Sequence, residues 1–186
     1  MAHETVEAPI TGKIMSVTIK VGDAVKEMAA LFPERVDKLM LSGCPYYKPE
    51  AGQSHLTDGT VKPMEITTDG AHIWKVWDLA QAYSTQQNPK IWHEVFLNWL
   101  IAGERGEEGH FTVFAYRVEK RLPLIKSPTL IMNGDVDLFY KRVELIRSLV
   151  PRNRVVILEG GGAFVALEKP VEFAEILLDF MRNSGC

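Results

Sequence analysis

The strongest constraint on the fold is an alternation near the end of the chain. "SPTLIMNGDVD" (127–137) is a short apolar run closed by a Gly-Asp loop, and "FYKRVELIRSLV" (139–150) is an amphipathic stretch stopped by Pro151. "NRVVILEGGG" (153–162) is a second apolar run ending in glycines. In "KPVEFAEILLDFMRN" (169–183), Phe173, Ile176, Leu177 and Phe180 recur at helical spacing behind Pro170. Strand, helix, strand and helix with short links predict parallel strands joined by right-handed crossovers, hence an α/β fold.

Upstream, "DKLMLSGCP" (37–45) suits another buried parallel strand, and "MAALFPERV" (28–36) the end of a helix broken at Pro33. Residues 46–70, rich in Gly, Pro, Thr, Asp and Lys, read as loop. Residues 71–103 carry Trp74, Trp77, Trp92 and Trp99 at helical spacing. They predict two helices parted at Asn88-Pro89, with a third over roughly 107–120. The tryptophans read first as the core of this helical region and second as the wall of an apolar pocket. Residues 5–27 differ from the rest. Ile14, Val17, Ile19 and Val21 predict one or two short strands, and Gly22-Asp23 a turn.

Bulk properties exclude several classes. The chain has 186 residues and a net charge of −3, with 21 scattered Lys and Arg, so no nucleic-acid footprint or basic membrane face is expected. No apolar run approaches the roughly 20 residues that span a bilayer, and the polar start has no signal-peptide pattern. Two cysteines, Cys44 and Cys186, form no disulfide framework, which points to a reducing, cytoplasmic setting. His3, His55, His72 and His93 form no metal spacing with one another or with the cysteines, so neither a metal nor a cofactor is expected.

Three segments together resemble the α/β-hydrolases. "FPERVDKLMLSGCP" (32–45) is similar to that family's helix after the nucleophile and its sixth strand. "IKSPTLIMNGDVDLF" (125–139) resembles the seventh strand and acid loop, and "EGGGAFVALEKPVEF" (159–173) the eighth strand, histidine loop and last helix. The resemblance implies a helical cap at 46–120, and it implies that Asp137 stands at the position of the triad acid. It also puts the histidine position at Ala163, counting back from Glu168 and Pro170. The G-x-S-x-G elbow occurs nowhere in the chain, and neither do the family's first five strands or oxyanion-hole segment.

"VEAPITGKIMSVTIKVGDAVKE" (6–27) resembles the first half of the biotinyl and lipoyl carrier domains, which would make Lys38 the counterpart of their modified lysine. Pro33 opposes that, because it removes a ladder donor where the carrier needs a strand, and the second half-repeat is missing. The expected organisation is a carrier-like β-segment over 1–27 and a truncated hydrolase-like portion over 28–186.

Asp137 is the candidate catalytic residue, set against an ordinary turn aspartate capping the next helix. Cys44 at a strand end reads as a thiol nucleophile or a small buried residue, and His110 as a substitute base or a packing residue. The expected function is that of a hydrolase descendant, with ester or carbon–carbon bond cleavage in its ancestry, lacking a complete triad. A non-catalytic binding or scaffold module, a fusion related to carrier proteins, a working hydrolase completed by a second chain and a rearranged product without function stay open beside it. The expected ligand is small, apolar and ester-like. Homo-oligomerisation is expected from the open sheet edge that five absent strands would leave.

Overall fold

The computed structural model describes residues 25–58, 62–84, 88–105 and 108–183. The strands expected over 14–21, the Gly22-Asp23 turn and Cys186 lie outside the described residues.

Helix α1 (Val25–Leu31) ends before Pro33, which opens a 3-10 turn, Pro33–Arg35. The expected boundary between residues 27 and 28 therefore falls inside α1. Strand β1 (Leu39–Ser42) follows. The cap then comprises α2 (Pro49–Thr57), α3 (Ala71–Ala82), α4 (Pro89–Ala102), α5 (Glu108–Ala115) and α6 (Val118–Arg121). The chain returns as β2 (Thr129–Gly134), α7 (Val143–Leu149), β3 (Asn153–Leu158), α8 (Val165–Glu168) and α9 (Pro170–Arg182).

Among the described residues the sheet has order β1-β2-β3 and is parallel throughout, with Leu39 beside Thr129 and Thr129 beside Asn153. Alternation along the strands sorts the core into two layers. Leu39, Leu41 and Ile131 face Val143 and Ile146 of α7 and Ala29 of α1. Leu130, Met132 and Leu158 face Phe180 of α9 and Val165 of α8. Every residue of β2 is buried, as a central strand with helices on both faces requires. A third cluster, Ala80, Ile91 and Val95 with Trp92 and Phe96, holds α3 against α4. Phe164, from the loop after β3, packs on this cluster and ties the cap to the sheet.

Four expectations need correction. Residues 46–70 contain a helix, α2, which the composition hides because Pro49 starts it and Gly52 sits inside it. Gly52 serves packing: a Cβ there would come 2.5 Å from the Phe114 carbonyl oxygen, so glycine lets α2 and α5 touch. The helix expected over 107–120 is broken by Tyr116 and Arg117 into α5 and α6. The helix expected over 139–150 is shorter, beginning as a 3-10 turn at Tyr140–Arg142 before α7. Trp74 is 69% exposed and belongs to no core.

Candidate functional site

The carboxyl edge of the sheet is where an α/β architecture presents side chains to ligands. Here the loops leaving β2 and β3 are joined by their backbones. Asp135 N–H donates to Leu158 O (3.3 Å) and Val136 N–H to Gly161 O (3.0 Å). Gly160 N–H donates to Asp135 Oδ1 (2.7 Å). Gly134 and Gly161 touch so closely that a Cβ on Gly134 would collide with the Gly161 carbonyl. "GGG" thus provides close approach and a left-handed turn at Gly160, where φ is 67°.

Asp137 stands in this junction and is 8% exposed. Its Oδ1 accepts the Phe139 N–H at 2.5 Å, and the Asn133 side chain is a second partner. Its Oδ2 points toward the exit of β1, since a Cβ on Gly43 would lie 3.3 Å from it. Burial pushes the carboxyl pKa above the ordinary aspartate range. The Phe139 N–H and the Asn133 side chain pull the other way, and the Glu168 carboxylate adds to the rise. None of these partners is an imidazole.

Glu168 is buried at the end of α8, and its Oε2 accepts the Gly162 N–H at 2.5 Å. Ala163, next in sequence, is exposed. The loop expected to carry a histidine is therefore anchored on both sides of position 163, by Glu168 on Gly162 and by Phe164 on the cap.

Other candidates are placed elsewhere. Cys44 is a buried free thiol, with Lys26 Nζ 3.7 Å from its Sγ. Burial raises its pKa against the opposing pull of Lys26, so the thiolate is disfavoured. Lys38 Nζ donates to the carbonyl oxygens of Phe180 (2.9 Å) and Met181 (2.6 Å) at the end of α9. Lys38 thus caps the carboxyl end of α9. His110 is in the cap, stacked on Phe114 with ring centroids 6.1 Å apart.

The cap also forms an open cavity of about 460 Å³. Val76, Leu79, Trp99 and Phe114 form its apolar wall, with His55, His110, Tyr47 and Tyr83 among them and Lys62 and Lys75 exposed beside it. The expectation that tryptophans line a pocket holds for Trp99. Tyr47 connects the cavity to the acid loop: its ring lies 4.8 Å from Phe114 and 5.9 Å from Phe139, two residues beyond Asp137. Burial raises the Tyr47 pKa, with Tyr83 adding and Arg142 opposing. These residues come from α2, α3, α4, α5 and the loops on either side of α2, so no spacing could have announced them. Among the described residues no group of three or more His, Cys, Asp and Glu side chains could hold a metal ion.

No protein-family profile matches the chain. In solved structures the same architecture recurs. An enol-lactonase from Burkholderia xenovorans LB400 superposes with a TM-score of 0.65 at 16% identity, over 85% of this chain and 61% of that one. A bromoperoxidase from Bacillus anthracis gives 0.66 at 19%, over 85% and 62%. MenH from S. aureus gives 0.66 at 18%, over 87% and 64%. The chain has the α/β-hydrolase fold. The α/β-hydrolase likeness extends to sequence in one stretch. The rat protein named "Putative protein-lysine deacylase ABHD14B" is 32% identical over 91 residues, 47% of this chain and 43% of that protein. The chain thus spans under half the length of this curated relative and under two-thirds of each α/β-hydrolase structure compared. Its parallel sheet and helical cap agree with the fold class expected from sequence, and the sheet is short. No helix among the described residues is long and apolar enough to cross a membrane.

Proposed function

We propose that this chain is a catalytically incomplete descendant of an ester or carbon–carbon bond hydrolase. One observation carries the reading. The acid loop and the histidine loop are both built, cross-bonded and anchored, yet position 163 is an exposed alanine and Asp137 is engaged by Phe139 and Asn133. In a serine hydrolase the acid orients an imidazole, the imidazole takes the serine proton, and backbone N–H groups hold the oxyanion. Here the acid is left to shape its own loop. The sequence contains no G-x-S-x-G to supply the nucleophile. The buried thiol of Cys44 supports a structural role for that residue and a reducing, cytoplasmic setting.

A non-catalytic binding module is the second reading, favoured by the cap cavity, whose walls are formed without any triad. The engagement of Lys38 with the end of α9 argues against a carrier role. Hydrolysis of p-nitrophenyl acetate by the pure chain tests the first reading. The expected rate is the buffer rate, unchanged by Asp137→Asn. Turnover well above buffer that Asp137→Asn abolishes would show a working site and overturn it.

A further inference from the structure

We propose that the cap cavity is a binding site for a small aryl-alkyl monocarboxylate. Its volume of about 460 Å³ falls in the range of small-molecule pockets, and it stands open to the outside beside Lys62 and Lys75. The argument rests first on charge. Two lysines border the cavity, two imidazoles and two phenols line it, and none of the described lining residues is a carboxylate. Among the described lining residues the only formal charges are the two ammonium groups, which favour an anion, and the Asp58 carboxylate lies behind His55 with its Oδ2 3.8 Å from Nδ1.

The second part is shape. The interior is aromatic, with mixed ring geometries: His55 lies 4.8 Å from Phe114 at an interplanar angle of 34°, His110 stacks on Phe114 at 20°, and Tyr47 meets His55 edge to face at 5.8 Å and 84°. A ring entering this set meets both faces and edges, which favours an aromatic body over a branched aliphatic one. His55 adds a buried Nδ1 that makes no hydrogen bond and whose charged neighbour is Asp58 Oδ2 at 3.8 Å. The third part is the kind of anion. No arginine is among the described lining residues, and the N–H of Ala71 at the start of α3 is already held by Asp69 Oδ1 at 3.0 Å. The lysines supply point charges for either anion, and it is the aromatic wall beside them that favours a carboxylate carried on an apolar body over inorganic phosphate, which has no such body to bury. This ligand differs from a neutral ester in one feature, the charge that Lys62 and Lys75 would read.

Calorimetric titration of the pure chain at low salt tests the proposal. The probes are 4-phenylbutyrate, the uncharged 4-phenylbutyramide and inorganic phosphate. The acid should bind, the amide should bind roughly fivefold more weakly, and phosphate alone should give no heat of binding. In the Lys62→Met, Lys75→Met double variant the preference for acid over amide should disappear. Replacing Lys120 and Lys126, outside the cavity, by Met should leave that preference intact. Equal affinity for acid and amide, no binding of the acid, phosphate binding as tight as the acid, or a preference that survives the Lys62/Lys75 change each overturns the proposal. The measurement reads binding without turnover, so its failure leaves the hydrolase-descendant reading untouched, and esterase activity would sink that reading alone.

Discussion

Asp137 shows how a single buried carboxyl can cost a fold stability at neutral pH. Its carboxyl has a raised pKa, chiefly through burial, so the folded chain holds that proton more tightly than the unfolded chain does. The contribution to stability is then fully present below the unfolded value of about 3.9 and is lost as pH rises through the raised folded value. At neutral pH the ionised carboxylate works against folding. Asp137→Asn keeps an oxygen for the Phe139 N–H and removes the charge. Its urea midpoint should lie above that of the parent at pH 7, with the gap closing as pH falls toward 4. A variant less stable than the parent at pH 7 would show that the interaction with Asn133 outweighs burial. The loop that carries Asp137 was legible because a Gly-x-x-Asp stretch after an apolar run is a local pattern. The residues of the cap cavity were not, since Tyr47, His55, Lys75 and His110 converge only through helix packing, including the close α2–α5 contact at Gly52.

At the level of elements, local pattern was a good guide where packing agreed with it. The continuous apolar run of β2 and the amphipathic face of α9 were both visible in the sequence. Where a residue served two purposes the pattern misled. Glycine in α2 marks a close helix contact, and Tyr116-Arg117 breaks a run of otherwise helical composition. Lys38 was the least legible of all, because its role is set 142 residues away at Phe180. Its ammonium group stabilises the free carbonyls and negative dipole end of α9. Lys38→Met keeps the aliphatic stem and removes the donor, and should cost about 1–2 kcal/mol in urea unfolding. Hydrogen exchange should speed up first in the last turn of α9. Unchanged stability with unchanged exchange would show that water caps this helix as well as lysine does.

Across the molecule, the open side of β1 dominates the expected behaviour. Among the described residues β1 pairs only with β2. Leu31 (49% exposed), Phe32 (42%) and Leu124 (46%) add apolar surface near a shallow cavity of about 570 Å³, where Pro33, Pro123 and Pro151 come together. Unpaired edges beside apolar surface favour association, so sedimentation velocity should show a homodimer that forms as concentration rises. A monomer at every concentration up to the millimolar range would show that the chain closes its own edge. The parallel order β1-β2-β3 also fixes a sequence of events in time. Eighty-six residues, including the whole cap, lie between Ser42 and Thr129, against eighteen between Gly134 and Asn153. Closing the longer loop costs about 1.4 kcal/mol more in chain entropy, so the β2–α7–β3 unit has the easier start and β1 joins an assembled pair. Among the described residues β1 and β3 are both edge strands, and β1 is the one that arrives last, so its outer flank stays unpaired longest during folding.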